Sequence, residues 1–314
     1  AGNVVVFNPH PAAKAVSVLT VGILNNAIAD AGGPGALLFS VNEPTISSAQ
    51  MLMKHPMVSL LTVTGGPAVV KQARMSGKKV IAAGPGNPPS VVDETAEFPK
   101  AARDLVAGAG FDNNIVCICE KEIIAVRQIA DRLKAEMKKC GAWELDSEQT
   151  AAVTSLVIDV PGRKGDEGAV NKKYVGKDAA FIAAEAGFSV PPETRILLCE
   201  VDESHPLVWT EQLMPVIPLV RVDDADSAID FAVEVEHGFR HSASMHSTNI
   251  DKLSKMARDI NCSLFVKNGS MFNGMGFGGA GYTSFTIASP TGEGFTRARH
   301  FTRERRCVLV DNFR

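Results

Sequence analysis

The sequence predicts an α/β fold built on a mostly parallel sheet. In the first hundred residues, short apolar runs alternate with helix-length segments, and the joints between them are rich in Gly and Pro. Strands separated by helices form βαβ units, whose strands run parallel. The chain has 314 residues, 45% hydrophobic and 21% charged. That is enough for about two domains with a substantial core.

Each element follows from local chemistry. Residues 4–7 (VVVF) read as a buried strand. The helical stretch 12–31 ends at Gly32-Gly33-Pro34, where Gly relaxes the left-handed position and Pro cannot continue a helix. Residues 36–41 read as a strand, Ile46–Lys54 as a helix and 58–63 as a strand. Gly65-Gly66-Pro67 opens a helix over 68–76, and 80–83 forms a further strand. Ligands of open α/β sheets sit at the C-terminal ends of strands. The Thr64-Gly65-Gly66 turn and the Gly84-Pro85-Gly86-Asn87-Pro88 loop both fall at such ends. The rigid segment 84–89 reads as a boundary between a first domain, 1–88, and a second, 89–300, with a tail over 301–314. Beyond it come a helix at 97–107, the segment 111–120 and a strand at 123–126. Residues 161–171 are a polar surface loop. A second α/β region, 179–272, has strands at 195–201, 217–222 and 264–266. The Gly-rich stretch 274–281 cannot be a regular helix and reads as an ordered active-site or domain-contact loop. Residues 305–310 are strand-like and need an edge to pair with, which another subunit can supply. A strand in the first few residues with no lead-in marks the chain as a fragment cut within a domain.

Composition excludes several classes. With 32 basic and 35 acidic residues and a net charge of -3, no global field draws in nucleic acid or an anionic membrane. Unbroken apolar stretches such as 115–119 and 216–220 fall far below the roughly 18 residues of a membrane span. The opening AGNVVVFNPHP has no basic segment leading into an apolar core. These features describe a soluble globular protein. Six cysteines are too sparse for a disulfide framework and suit a reducing compartment. Cys117 and Cys119 are the only close pair, with no ligands at finger-like spacing, so no metal site is expected.

Phe111-Asp112-Asn113-Asn114-Ile115-Val116-Cys117 is the most informative segment. Three polar side chains suited to caps and turns lead into an apolar pair and a Cys at the start of a strand. A thiol at such a loop exit, near backbone N–H groups, can ionise and serve as a nucleophile. The other reading is a buried structural Cys, the commonest fate of a free cysteine.

VVVFNPHP, TVTGGPAVV, AAGPGNPP, FDNNIVC, TEQLMPV, FVKNG and SPTGEG occur in this order along the whole chain. In these motifs the sequence resembles the CoA-acylating branch of the aldehyde dehydrogenase superfamily, in particular the propionaldehyde and acetaldehyde dehydrogenases of bacterial microcompartments. The resemblance implies a Rossmann-type cofactor domain, an α/β catalytic domain and a small oligomerisation strand. It implies NAD-dependent oxidation of a short aliphatic aldehyde to acyl-CoA, with NAD and coenzyme A as cosubstrates. It also implies a homo-oligomer in the cytoplasm, inside a microcompartment, with shell contact through a segment upstream of residue 1, and no nucleic-acid or membrane partner.

By position, Cys117 matches the catalytic Cys, which passes through a thiohemiacetal to an enzyme thioester. Cys119 reads as structural. At Ala83, hydrolytic relatives resemble this region with a Glu that activates the deacylating water; an alanine cannot be a general base, so the thioester waits for the thiol of coenzyme A. Glu211 matches the Glu that binds the nicotinamide ribose, with Leu213 beside it; the bland reading is a solvated loop Glu. His241 matches a His near the active Cys in bifunctional aldehyde-alcohol dehydrogenases, where it can take the coenzyme A proton; a satisfied structural His is the other reading. Thr64, Gly65, Gly66 and Pro67 take the place of a Gly-Ser-Thr turn whose free N–H groups approach the pyrophosphate. Asn8 and Pro9 lie in the ribose-facing turn, Asn8 replacing a Lys, and Gly84 faces the nicotinamide. His10, His205 and His246 read as loop or packing residues. An oxyanion-hole Asn would precede residue 1, and such a donor is worth roughly 10²–10³ in rate. A second reading therefore stands beside the first: a truncated, catalytically silent nucleotide-binding or assembly module.

Overall fold

The computed structural model describes residues 2–311 and divides into two compact units. The first comprises residues 1–63, 68–81 and 297–314; the second comprises 64–67 and 82–296. The division at 81/82 falls one loop earlier than the sequence-expected 88/89, and residues 297–314 group with the first unit.

The first unit opens with β1 (Val5–Phe7), a short 3-10 turn (Pro11–Ala13), α1 (Lys14–Asp30) and β2 (Leu38–Ser40). β1 and β2 pair in parallel, Val5 opposite Leu38. The Asn25 side chain ties α1 to this pair, donating to Leu38 O at 2.8 Å and accepting from the N–H groups of Leu37 and Leu38. α2 (Ile46–Lys54) begins at a Thr45/Ser48 capping box. β3 (Leu60–Thr64), α3 (Pro67–Arg74) and β4 (Lys79–Ala83) follow, β3 pairing with β4.

Two expectations fail here. β1 is not buried: Val5, Val6 and Phe7 are 36%, 44% and 42% exposed, because β1 has a single strand neighbour. The 20-residue stretch Pro11–Asp30 is long and apolar enough, by length and composition only, to cross a membrane, and none of it is buried. Counting unbroken apolar runs misses it because Ser17, Thr20, Asn25 and Asn26 interrupt the stretch. Residues 305–310 form no strand within this chain and are exposed.

The second unit is organised by a seven-stranded sheet. Its elements are β5 (Pro89–Val92), α4 (Phe98–Ala109), β6 (Glu122–Val126), α5 (Ala130–Lys139), β7 (Ala142–Glu144), α6 (Ser147–Val157), β8 (Ile158–Val160), β9 (Ala169–Val170), α7 (Ala179–Glu185), β10 (Ile196–Val201), β11 (Val216–Val222), α8 (Ala225–Val235), β12 (Ser242–His246), α9 (Ile250–Ile260), β13 (Leu264–Lys267), β14 (Ile287–Ala288) and β15 (Gly294–Phe295). The strand order is β13-β12-β5-β6-β11-β10-β7, every pair parallel. Alternate residues face opposite layers: Val92, Ile123 and Leu219 pack with α4 and α5, whereas Val91, Ile124 and Val220 pack with α8 and α9. Burial on both faces gives the near-continuous apolar strands expected of a covered parallel sheet.

Candidate active site

Four adjacent strands, β12-β5-β6-β11, deliver the candidate residues. The Gly84–Pro88 loop leads into β5, the Cys117 turn into β6, the Glu211–Pro215 loop into β11, and His241 directly precedes β12. All four therefore lie at the N-terminal edge of the large sheet. The Thr64–Pro67 turn, the start of the Gly84 loop and the Asn8–Pro9 turn instead occupy C-terminal strand ends, those of β3, β4 and β1.

The Cys117 turn is built by Asp112, Asn113 and Asn114, which take φ of 46°, 52° and 61° in succession. Asp and Asn tolerate this left-handed region better than other non-Gly residues. The run reverses the chain after α4, so Cys117 sits in a turn and not at the start of a strand. Side chains lock it: Asn113 Nδ2 donates to Gly176 O (3.1 Å) and Asp178 Oδ1 (2.9 Å), and Asn114 Nδ2 to Ala109 O (2.8 Å) and Glu120 O (2.9 Å). Phe272, just before the Gly-rich stretch, packs on the turn, its ring 4.1 Å from that of Phe111.

Cys117 is half-buried. Burial pushes its thiol up to about 11, Glu211 adds to that, and Lys121 and the backbone N–H groups of Cys117 and Ile118 oppose it. The resting thiol is thus protonated at neutral pH, which differs from an ionised nucleophile poised in advance. Cys119 is fully buried in an apolar cluster with Ile118, Met271 and Phe272.

Glu211 is half-buried with its Oε1 enclosed, and its carboxyl is pushed up to about 7 by desolvation; Glu167 adds to this, while Lys121 and the N–H of Gly86 oppose it. Its Oε1 has no hydrogen-bond partner. Leu213, two residues on, is held at φ 54°, and its carbonyl accepts from Gly176 N at 3.0 Å. His241 is 1% exposed. Its N–H donates to Glu236 Oε1 at 2.8 Å and its Nδ1 lies 2.8 Å from Ser242 Oγ, while Nε2 is buried without a partner. Desolvation, helped by Lys121, lowers this imidazole to about 4, so it is neutral at pH 7. Gly86 lies against the ring: a Cβ there would stand 2.8 Å from His241 Cγ.

Ala83 is 2% exposed, and its carbonyl accepts from Gly65 N at 3.1 Å. Gly84 packs on Pro290, and around Gly66 a Cβ would meet nothing within 4 Å. Asn8 and Pro9 belong to the first unit, where Asn8 Oδ1 accepts from Ser48 Oγ at 2.6 Å. His10 caps the 3-10 turn, His205 Nδ1 accepts from Leu207 N, and His246 is buried in β12. Among the described residues no group of His, Cys, Asp and Glu is arranged to hold a metal.

Sequence reasoning missed the buried charges. Glu120, Lys121 and Glu122 were not singled out in the sequence, yet all three are fully buried. Glu120 Oε1 accepts from Met271 N at 2.9 Å, and Gly108 leaves room for its carboxyl. The only signal was their position between two apolar stretches.

The sequence pattern of the aldehyde dehydrogenase family matches residues 1–299, so the chain belongs to that family. Its relatives narrow the class. Acetaldehyde dehydrogenase (acetylating) of Bilophila wadsworthia is 54% identical over 320 residues, covering 100% of this chain and 66% of the relative. The crystal structure of Rhodopseudomonas palustris propionaldehyde dehydrogenase with bound CoA and an acylated cysteine superposes with a TM-score of 0.93 at 50% identity, covering 99% of this chain and 70% of that one. A propionaldehyde dehydrogenase from the Clostridium phytofermentans fucose utilisation microcompartment gives 0.93 at 44% identity, with 99% and 70% covered. The chain spans about two thirds of the length of these relatives.

Proposed function

We propose that this chain carries the catalytic machinery of an NAD-dependent, CoA-acylating aldehyde dehydrogenase that converts acetaldehyde or propanal to acyl-CoA. The observation that carries this reading is the pairing of a turn-borne Cys117 with a buried methyl group at Ala83. The first is a nucleophile; the second leaves water without a general base.

Cys117 Sγ attacks the aldehyde carbonyl to give a thiohemiacetal, which becomes a thioester when its hydride is removed. Sulfur suits both stages, as a nucleophile first and a leaving group afterwards. NAD⁺ supplies the hydride acceptor, and coenzyme A the thiol that releases the acyl group. The chain's own residues fit the dinucleotide: Glu211 Oε1 is a buried acceptor with no partner, suited to a ribose hydroxyl, and the space around Gly66 lets a phosphate approach backbone N–H groups. Leu213 and Gly84 flank these groups, and Thr64 to Pro67 supply the turn. His241, neutral with a free Nε2, takes the proton of the incoming thiol. The likeness to a propionaldehyde dehydrogenase of a fucose utilisation microcompartment supports a setting inside such a compartment, and the chain is expected to act there as a homo-oligomer.

The test is NADH absorbance with propanal, NAD⁺ and coenzyme A. A rise that needs all three supports the acylating reaction. NADH and propanoate without coenzyme A would show a hydrolytic enzyme, and a flat trace from folded protein would show a silent nucleotide-binding module.

A further inference from the structure

Lys121 is fully buried, a placement that lysine takes rarely and only with partners. Its Nζ donates to Asn114 O at 2.9 Å, Asn114 Oδ1 at 2.5 Å and Val116 O at 3.3 Å. Three acceptors around one nitrogen use three N–H groups, which identifies an ammonium. Its backbone N–H donates to Pro88 O at 3.0 Å. These acceptors bracket the nucleophile: Asn114 closes the left-handed run, Val116 immediately precedes Cys117, and Pro88 ends the loop that carries Gly86.

We propose that Lys121 is the positioning residue of the nucleophilic turn, its ammonium both clamping Asn114 and Val116 and serving as the counter-charge of the Cys117 thiolate. The proposal rests on the reading of Cys117 as the nucleophile.

The charges around the pair support it. Cys117 is faced by Glu211 from the loop before β11, by Lys121 and by two backbone N–H groups, so Lys121 is the cation among them. Lys121 in turn influences Cys119, Glu120, Glu122, Glu211 and His241. Glu236 faces Glu122, and Glu167 faces Glu211. Burial pushes Glu120 up to about 8 and raises Glu122 well above the carboxylate range. Burial thus disfavours the charge on both acids, so they offset the ammonium less than exposed carboxylates would. A cation beside a thiol favours the thiolate.

Lys121→Met removes the amine at similar length; Lys121→Gln keeps amide donors toward Asn114 and Val116 but no charge, and carries the test if the Met variant does not fold. The measurement is the rate of iodoacetamide alkylation at Cys117 against pH, with the labelled peptide identified by mass spectrometry. The midpoint should move up by about one unit in either folded variant, with about a tenfold slower alkylation at pH 8. A role in folding alone would leave the midpoint in place. An unchanged midpoint in folded Lys121→Gln overturns the proposal. Label on a cysteine other than Cys117 in the unmutated chain would instead overturn the nucleophile assignment.

Discussion

Gly86→Ala tests how tightly the Gly84–Pro88 loop holds His241. Gly86 does not sit at positive φ, so the substitution strains no backbone angle. Its cost is the new methyl, which would stand 2.8 Å from His241 Cγ and 3.1 Å from both Cβ and Cδ2. Reaching the 3.4 Å at which ordinary contact begins requires a shift of about 0.6 Å. The ring cannot yield at its tip, because the clash is with its root. It is also pinned by Ser242 Oγ at Nδ1 and by Glu236 at its backbone N–H. Overpacking of this kind costs about 1–3 kcal/mol, or roughly 2–4 °C in Tm for each kcal/mol in a unit of this size. A misplacement of about 1 Å costs on the order of 10²-fold in rate, so coenzyme A-dependent turnover should fall by about ten- to a hundredfold. The single NADH burst from acylation of Cys117 should persist, since that step does not use His241. Stopped-flow absorbance separates the two phases. Unchanged steady turnover and unchanged Tm in the variant would refute the assignment of His241 to deacylation.

Cys117→Ala should abolish NADH formation and alkylation of the active-site peptide, whereas Cys119→Ala should keep most activity; full activity without Cys117 would end that assignment. Glu211→Gln bears on pH. Burial holds its carboxyl up at about 7 in the folded chain, against about 4.5 for an exposed carboxyl, so its contribution to stability is present below 4.5 and is lost as pH rises through 7. The Gln variant should therefore lose less stability than the unmutated chain between pH 4.5 and 7 in urea titrations, and identical slopes would contradict the buried acid. Ala83→Glu should raise release of carboxylic acid from the thioester without coenzyme A, at a cost in stability because a charge enters a buried position. Background hydrolysis in a folded variant would remove Ala83 as the determinant of the acceptor. Initial rates with NAD⁺ and coenzyme A both varied should give parallel double-reciprocal lines, as for a covalent intermediate formed before the second cosubstrate acts; intersecting lines would show both bound together.

Much of the fold was legible in local sequence. α2 begins and ends at the expected residues because Thr45 and Ser48 form a capping box and His55 leaves the helical region. The parallel sheet followed from alternating apolar runs, and the Asp-Asn-Asn run correctly marked a turn before Cys117. What that run did not reveal was its effect: three left-handed residues keep Cys117 out of β6. The Glu120-Lys121-Glu122 run was illegible for a different reason. A charge cluster is solvated unless tertiary partners enclose it, and here those partners, Asn114 O, Val116 O and Met271 N, come from other turns. Residues 305–310 form no strand within this chain, and the edge expected for them, on another subunit, is not encoded in their own residues.

The central claim is that Cys117 carries the acyl group and only a thiol removes it. Incubation with propanal and NAD⁺ alone, followed by mass spectrometry of the Cys117 peptide, tests it most directly. A propionyl thioester on that peptide, stable until coenzyme A is added and then recovered as propionyl-CoA, is the expected result. Propanoate released without coenzyme A, or an acyl group on any other residue, would contradict the account.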